Sequence, residues 1–476
     1  MPRLTKASLG ELSVSVELPT YDRDSIEAGI VHLGIGAFQR AHQAVYTDQA
    51  MNLSGGNWGI IGVSLRSDTV ARQLLPQDCL YSVLSEDGVE QSLRLVGSVT
   101  QVLFAPTQLD EVVSAIAAET TAIITLTITE KGYCTGPDGH SLDQSNPVIE
   151  ADLAAPEAPR SAIGLLALGL RRRQSLGNSP VTVISCDNVA ANGQVIACVL
   201  KEYTELAFPE LSAWLQHNTS CPSSMVDRIV PASTEAQQLR QSQMLGLTDC
   251  SAIATERFSQ WIIEDNFCSP RPDWRAAGVQ YVENIAPYEE IKLRLLNASH
   301  SAIAYCGLLA GKEFVDQVVT DRQLGEFVET LMNDDLMPAL NAPSDFDIEG
   351  YKSQLLARFR NPCLGHRCEQ IAMDGSEKIG HRWLPVLQGS GENSKLIVAL
   401  AAWCYLVLYT DIAISDPKEA QLLQLRARRD DSRLRELLAC ARVTQRTVTS
   451  VDSLCRQIEQ KIDKLARGGI LALVST

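Results

Sequence analysis

Four short runs in the first half of the chain are almost continuously apolar and rich in β-branched residues: "GIVHLGIG" (29–36), "WGIIGVSL" (58–65), "AIITLTIT" (122–129) and "VTVISCDN" (181–188). Runs of this length without polar alternation predict strands buried on both faces, as in a parallel sheet covered by helices. Longer stretches of helical periodicity, such as 38–51 and 161–173, lie between them. Strand and helix in alternation predict βαβ units and an α/β fold with a Rossmann-type, doubly wound parallel sheet. From about Tyr288 strand-like runs become rare and helical periodicity continues to the end. Prolines and polar residues collect in "CSPRPDWRAAGVQYVENIAPYEE" (268–290), so a boundary is expected there. Residues 1–285 are read as the dinucleotide-binding domain and 286–476 as a mainly α-helical substrate and catalytic domain.

The longest apolar run, Leu396 to Tyr409, is shorter than the roughly 20 residues a bilayer span needs and reads as a buried core helix. The start, "MPRLTKASLGELSVSVELP", has no apolar core of signal-peptide length, so a cytoplasmic location is expected. A net charge of −16 argues against a nucleic-acid partner, which requires a concentrated basic face, and nothing indicates a membrane partner. Thirteen cysteines without a C-x-x-C pair, and seven histidines without H-E-x-x-H, predict reduced thiols and no metal site. Oligomeric state is not readable.

Candidate chemistry appears at two places. The run "IVHLGIGAFQRAHQAVY" is a strand, then Gly34-Ile35-Gly36, then a helix. Glycines there let the backbone approach a pyrophosphate at a helix N-terminus. Gln39 stands where the third glycine of G-x-G-x-x-G belongs, which weakens the motif. Asp68 follows the second strand, where a carboxylate accepts from ribose hydroxyls and repels the extra phosphate of NADP, pointing to NAD; a helix cap is the alternative role. The second place is "YEEIKLRLLNASHSAIAYCG" (288–307). At about 100° per residue, Glu289, Lys292, Asn297 and His300 fall on one side of a helix, with Leu295 opposite. Hydride transfer to a ketone needs a proton donor and groups that stabilise the developing alkoxide. Lysine, asparagine and histidine supply these; a solvated polar face is the bland alternative.

Lys292-x-x-x-x-Asn297-x-x-His300 resembles the signature of the polyol-specific long-chain dehydrogenase/reductase family. "GIGAFQRAHQAVYTD" (34–48), "LTITEKGYC" (126–134), "SCDNVAANG" (185–193), "MVDRIVP" (225–231), "QWIIEDNF" (260–267) and "HRCEQIAMDGSEK" (366–378) extend the resemblance over most of the chain. It implies a metal-independent, NAD-dependent dehydrogenase acting on a secondary alcohol. By the resemblance Lys292 is the general acid/base, Asn188 and Asn297 hold the oxyanion, His300 contacts the reacting oxygen and Glu289 relays protons. Asp227 lines the same region, and Gly34, Gly36, Phe38 and Arg40 form the cofactor loop with Asp68 on the ribose. Arg257 and Thr255 depart from the family pattern "CEPF-QW" but spare every residue assigned chemistry.

The segment from His366 to Lys378 resembles the sugar-acid branch of the family, which interconverts D-fructuronate and D-mannonate in hexuronate catabolism. Arg367 is a candidate bidentate partner for a substrate carboxylate, with His366, Lys378 and Arg382 extending a basic pocket; a purely structural Arg367 is the alternative. A polyol dehydrogenase of mannitol or arabinitol type is the same-class alternative. A non-catalytic NAD-binding scaffold is disfavoured, because a scaffold needs no proton donor beside two oxyanion donors.

Overall fold

The computed structural model describes residues 1–13, 16–344, 346–387, 394–443 and 451–475. The chain divides into two compact units, Met1–Ala286 and Pro287–Thr476.

Among its described residues the first unit has twelve strands: β1 (Ala28–Leu33), β2 (Gly59–Ser64), β3 (Tyr81–Glu86), β4 (Gln91–Val96), β5 (Val99–Phe104), β6 (Ile123–Leu126), β7 (Val181–Ser185), β8 (Thr219–Ser220), β9 (Ser224–Asp227), β10 (Ile253–Thr255), β11 (Gln260–Glu264) and β12 (Gln280–Val282). Six form an all-parallel sheet in the order β5-β2-β1-β6-β7-β8. The order reverses between β1 and β6, and a crevice outside the carboxyl ends of the strands at such a reversal is where doubly wound sheets bind dinucleotides. Side chains alternate between the two faces. Val31, Val63, Ile124 and Val183 join one apolar cluster; Ile30, Ile60, Ile123 and Ile184 join the other. The four apolar runs therefore lie in central strands because both faces are covered.

A histidine sits inside this sheet. His32 of β1 is fully buried, with Nδ1 2.7 Å from Thr125 Oγ1 and Nε2 2.8 Å from Thr127 Oγ1. Burial pushes its pKa down to about 3, so it stays neutral and serves the sheet. Two three-stranded sheets, β10-β3-β4 and β12-β11-β9, complete the unit.

The stretch 38–51, expected as one helix, is two: Ala37–Ala41 and Gln43–Ser54, broken at His42 (φ −123°, ψ −87°). The break lets the His42 ring stack on Phe38 at 5.0 Å and meet Trp261 edge-on at 5.8 Å. The second helix, Ala162–Leu176, starts where Ser161 Oγ accepts from Gly164 N at 2.9 Å and stops at Gly177, whose φ of +69° suits glycine.

Among its described residues the second unit contains helices and no strand. Lys395–Tyr409 is a core helix, with Leu396 to Cys404 all buried. Among the described residues no helix is long and apolar enough to cross a membrane, no cysteine is disulfide-bonded and no His/Cys/Asp/Glu group could hold a metal ion.

Candidate active site

In the first unit the loop after β1 is built around Gly34. Its φ is +96°, and a Cβ there would lie 2.1 Å from Thr127 O, so only glycine fits. Gly36 differs: it precedes helix Ala37–Ala41 in extended conformation, and the nearest atom to a Cβ built on it is Gly34 O at 3.8 Å. The protein itself does not require glycine at 36. The missing side chain leaves open space beside the first turn of a helix, which suits close backbone approach to a pyrophosphate, so this loop fits a dinucleotide. Arg40 is buried behind the loop, its Nε donating to Gly36 O (3.2 Å) and its Nη1 to Ser251 O (2.9 Å), while Tyr81 Oη donates to Arg40 O (2.7 Å). It braces the glycine turn from inside. Phe38 is partly exposed.

Asp68 immediately precedes helix Thr69–Leu74, past the end of β2. Its carboxylate makes no cap hydrogen bond and instead pairs with Arg72 at 2.9 Å across one exposed turn.

Asn188 is exposed on the loop following β7. That loop is pinned by two neighbours that sequence reading passed over. The Asp187 carboxylate accepts from Ile128 N (2.8 Å), Thr129 N (3.0 Å) and Tyr133 Oη (2.8 Å), and burial raises its pKa. Asn192 donates to Asp187 O (3.0 Å) and Ser224 O (2.8 Å) and accepts from Ser224 N (2.9 Å), tying the loop to β9. Buried Asp227 ends that strand. Two non-glycine residues with positive φ, Thr129 (+64°) and Ala191 (+49°), bracket the cluster, a conformation held only where surrounding bonds over-determine it. The visible signal was the run of Asp, Asn and Asn within "SCDNVAANG".

The Lys292 segment of the second unit corrects a geometric expectation. Lys292–Asn297 is a π-helical turn between the α-helical segments Ala286–Ile291 and Ala298–Leu309, with Ala298 N donating to Leu293 O five residues back. In a regular α-helix Lys292 and Asn297 would be about 140° apart. An i→i+5 turn instead brings residues five apart closer to one side, so the x-x-x-x spacing fits the turn better than a regular helix does. His300, three residues beyond Asn297, continues that side. The segment is not a two-faced surface helix either. Lys292 and His300 are buried, and every residue from Ala298 to Gly307 is buried, so the helix runs through the unit's core.

His300 has Nε2 buried with no hydrogen-bond partner. Its ring packs against Phe359 (centroids 4.6 Å apart) and meets His366 edge-on at 5.0 Å. Burial first, then His366 and the charges of Arg358 and Arg382, hold it well below its ordinary pKa; burial and Arg358 push His366 down to about 4. Both imidazoles are therefore neutral near pH 7, able to share a hydrogen bond with an alcohol or carbonyl oxygen without carrying charge. Arg367, next to His366, points to the surface, where half-exposed Nη1 pairs with Glu313 at 2.7 Å. Among the other basic residues expected near the substrate, Lys378 donates to Met373 O (2.8 Å) and Arg382 reaches Asn297 O (3.0 Å).

Family comparison agrees with this architecture. Residues 28–276 match the mannitol dehydrogenase Rossmann domain, and 284–466 match the mannitol dehydrogenase C-terminal domain. An uncharacterized oxidoreductase of Escherichia coli, YeiQ, is 40% identical over 474 residues, covering 97% of each chain. The D-mannonate oxidoreductase of the same organism is 39% identical over 428 residues, covering 87% of this chain and 88% of its own. A Pseudomonas fluorescens mannitol 2-dehydrogenase, solved as a ternary complex with NAD and D-mannitol, superposes with a TM-score of 0.86 at 32% identity, covering 99% of this chain and 98% of that one. The chain belongs to the mannitol dehydrogenase family. It is an oxidoreductase with a Rossmann-type unit, acting on a secondary alcohol of a polyol or sugar acid.

Proposed function

We propose that this enzyme catalyses the reversible, NAD-dependent reduction of D-fructuronate to D-mannonate. The observation that carries the chemistry is the buried, neutral His300 with an unpartnered Nε2, two turns along the same helix from buried Lys292. A buried nitrogen without a partner costs about 1–3 kcal/mol, a cost that a substrate oxygen relieves on binding. The Gly34–Gly36 loop would hold NADH, which when bound would supply the hydride for the ketone carbon. Protonated Lys292 gives its proton to the ketone oxygen, Asn188 and Asn297 donate to that oxygen as charge develops, and Glu289 returns a proton to the lysine. Asp227 orients the substrate hydroxyls. Asp68 on the ribose favours NAD over NADP.

The sugar-acid reading rests on the motif from His366 to Lys378 and on the relative that is a D-mannonate oxidoreductase. Arg367 is its proposed carboxylate partner. The Glu313 pair is half-exposed on both sides, and such pairs contribute at most about 1 kcal/mol, so a substrate carboxylate can take Glu313's place at little cost. Arg367→Leu is expected to raise the KM for D-fructuronate about tenfold or more with little change in kcat, read from initial rates. An unchanged KM would refute the role. The second reading, a polyol dehydrogenase, is supported by the mannitol 2-dehydrogenase neighbour and requires efficient reduction of D-fructose.

A further inference from the structure

The π-helical turn poses a positioning problem. Lys292, Asn297 and His300 share one side only while that turn keeps its register, and a return to regular α-helix would set Lys292 and Asn297 about 140° apart. Two consecutive residues of helix Gly375–Leu387 reach the point where the turn ends. Arg382 Nη1 donates to Asn297 O at 3.0 Å and to Ser301 Oγ at 2.8 Å, spanning one turn of the helix. Trp383 Nε1, fully buried, donates to Ala298 O at 3.1 Å. His300 lies between these anchors.

We infer that Arg382 and Trp383 are positioning residues that clamp the C-terminal end of the π-turn and hold Asn297 and His300 in register with Lys292. The inference rests on the proposed roles of those three residues. Carbonyl oxygens have a second lone pair, so the clamp adds donors without taking any from the helix. The Arg382 bonds are charge-assisted and made in a site with restricted water, where such bonds are at their strongest. Arg382 also adds positive charge beside His300, together with Arg358 from helix Ile348–Phe359, which favours the uncharged imidazole.

The test uses Arg382→Met, Arg382→Lys and Trp383→Phe in the full chain, assayed with whichever of D-fructuronate and D-fructose the parent turns over. Arg382→Met keeps the aliphatic bulk and removes both donors. It should lower kcat about a hundredfold, with KM and the Kd for NADH nearly unchanged, because misplacing a reacting group by about 1 Å costs that much. Arg382→Lys should recover most of the loss, since both bonds come from one nitrogen and an ammonium can make both. Trp383→Phe should lower kcat by a smaller factor at unchanged KM, and it reads the same clamp if Arg382→Met fails to fold. A parental kcat in Arg382→Met and Trp383→Phe would overturn the inference. So would a loss confined to KM in Arg382→Met, which would make the guanidinium a substrate ligand. If Lys292→Ala is inactive while the clamp variants retain full kcat, the positioning role alone fails; if Lys292→Ala is fully active, the reading of the site fails first.

Discussion

Lys292→Ala is expected to lower kcat by about 10²–10⁴-fold, the usual worth of a positioned general acid or base, while leaving NADH binding intact. The two readouts separate because Lys292 and the Gly34–Gly36 loop belong to different units of the chain. Alanine removes the proton donor but none of the amide donors to the oxygen, so residual activity is expected rather than none. Pre-steady-state mixing of enzyme, NADH and ketose would show hydride transfer itself slowed; a normal rate would remove Lys292 from the chemistry.

The second large effect is expected at Gly36. Valine there should weaken NADH binding at least about a hundredfold, because branched atoms would occupy the space a pyrophosphate needs against the backbone. Folding stability should hardly change, since the nearest atom to a Cβ at 36 is 3.8 Å away. Gly34 gives the opposite result. Gly34→Ala combines a φ of +96° with a Cβ 2.1 Å from Thr127 O and should cost about 1–3 kcal/mol of stability or more. Fluorescence titration with NADH and thermal melting distinguish the two glycines. Parental NADH affinity in Gly36→Val would place the cofactor elsewhere.

Much of the fold was legible because central parallel strands must be apolar on both faces, which is why 29–36, 58–65, 122–129 and 181–188 stood out. The mixed sheets were not, because β9, β10 and β12 have only three or four residues and show no period. The break at His42 was also hidden: 38–51 keeps helical composition throughout, and only the packing of Phe38, His42 and Trp261 explains the interruption. In the candidate site, residue types and spacing were readable and the turn beneath them was not. A four-residue gap between Lys292 and Asn297 fits a regular helix poorly, and that misfit was the trace of the π-turn. Arg382 was noticed as a basic residue but not as a donor to Asn297 O, since a contact across 85 residues leaves no local pattern.

The most direct test of the central claim is loss of NADH absorbance with purified enzyme offered D-fructuronate, D-tagaturonate and D-fructose in parallel. The account predicts the highest kcat/KM for D-fructuronate and little turnover of D-fructose. A kcat/KM for D-fructose equal to or above that for D-fructuronate would contradict it and make this a polyol dehydrogenase.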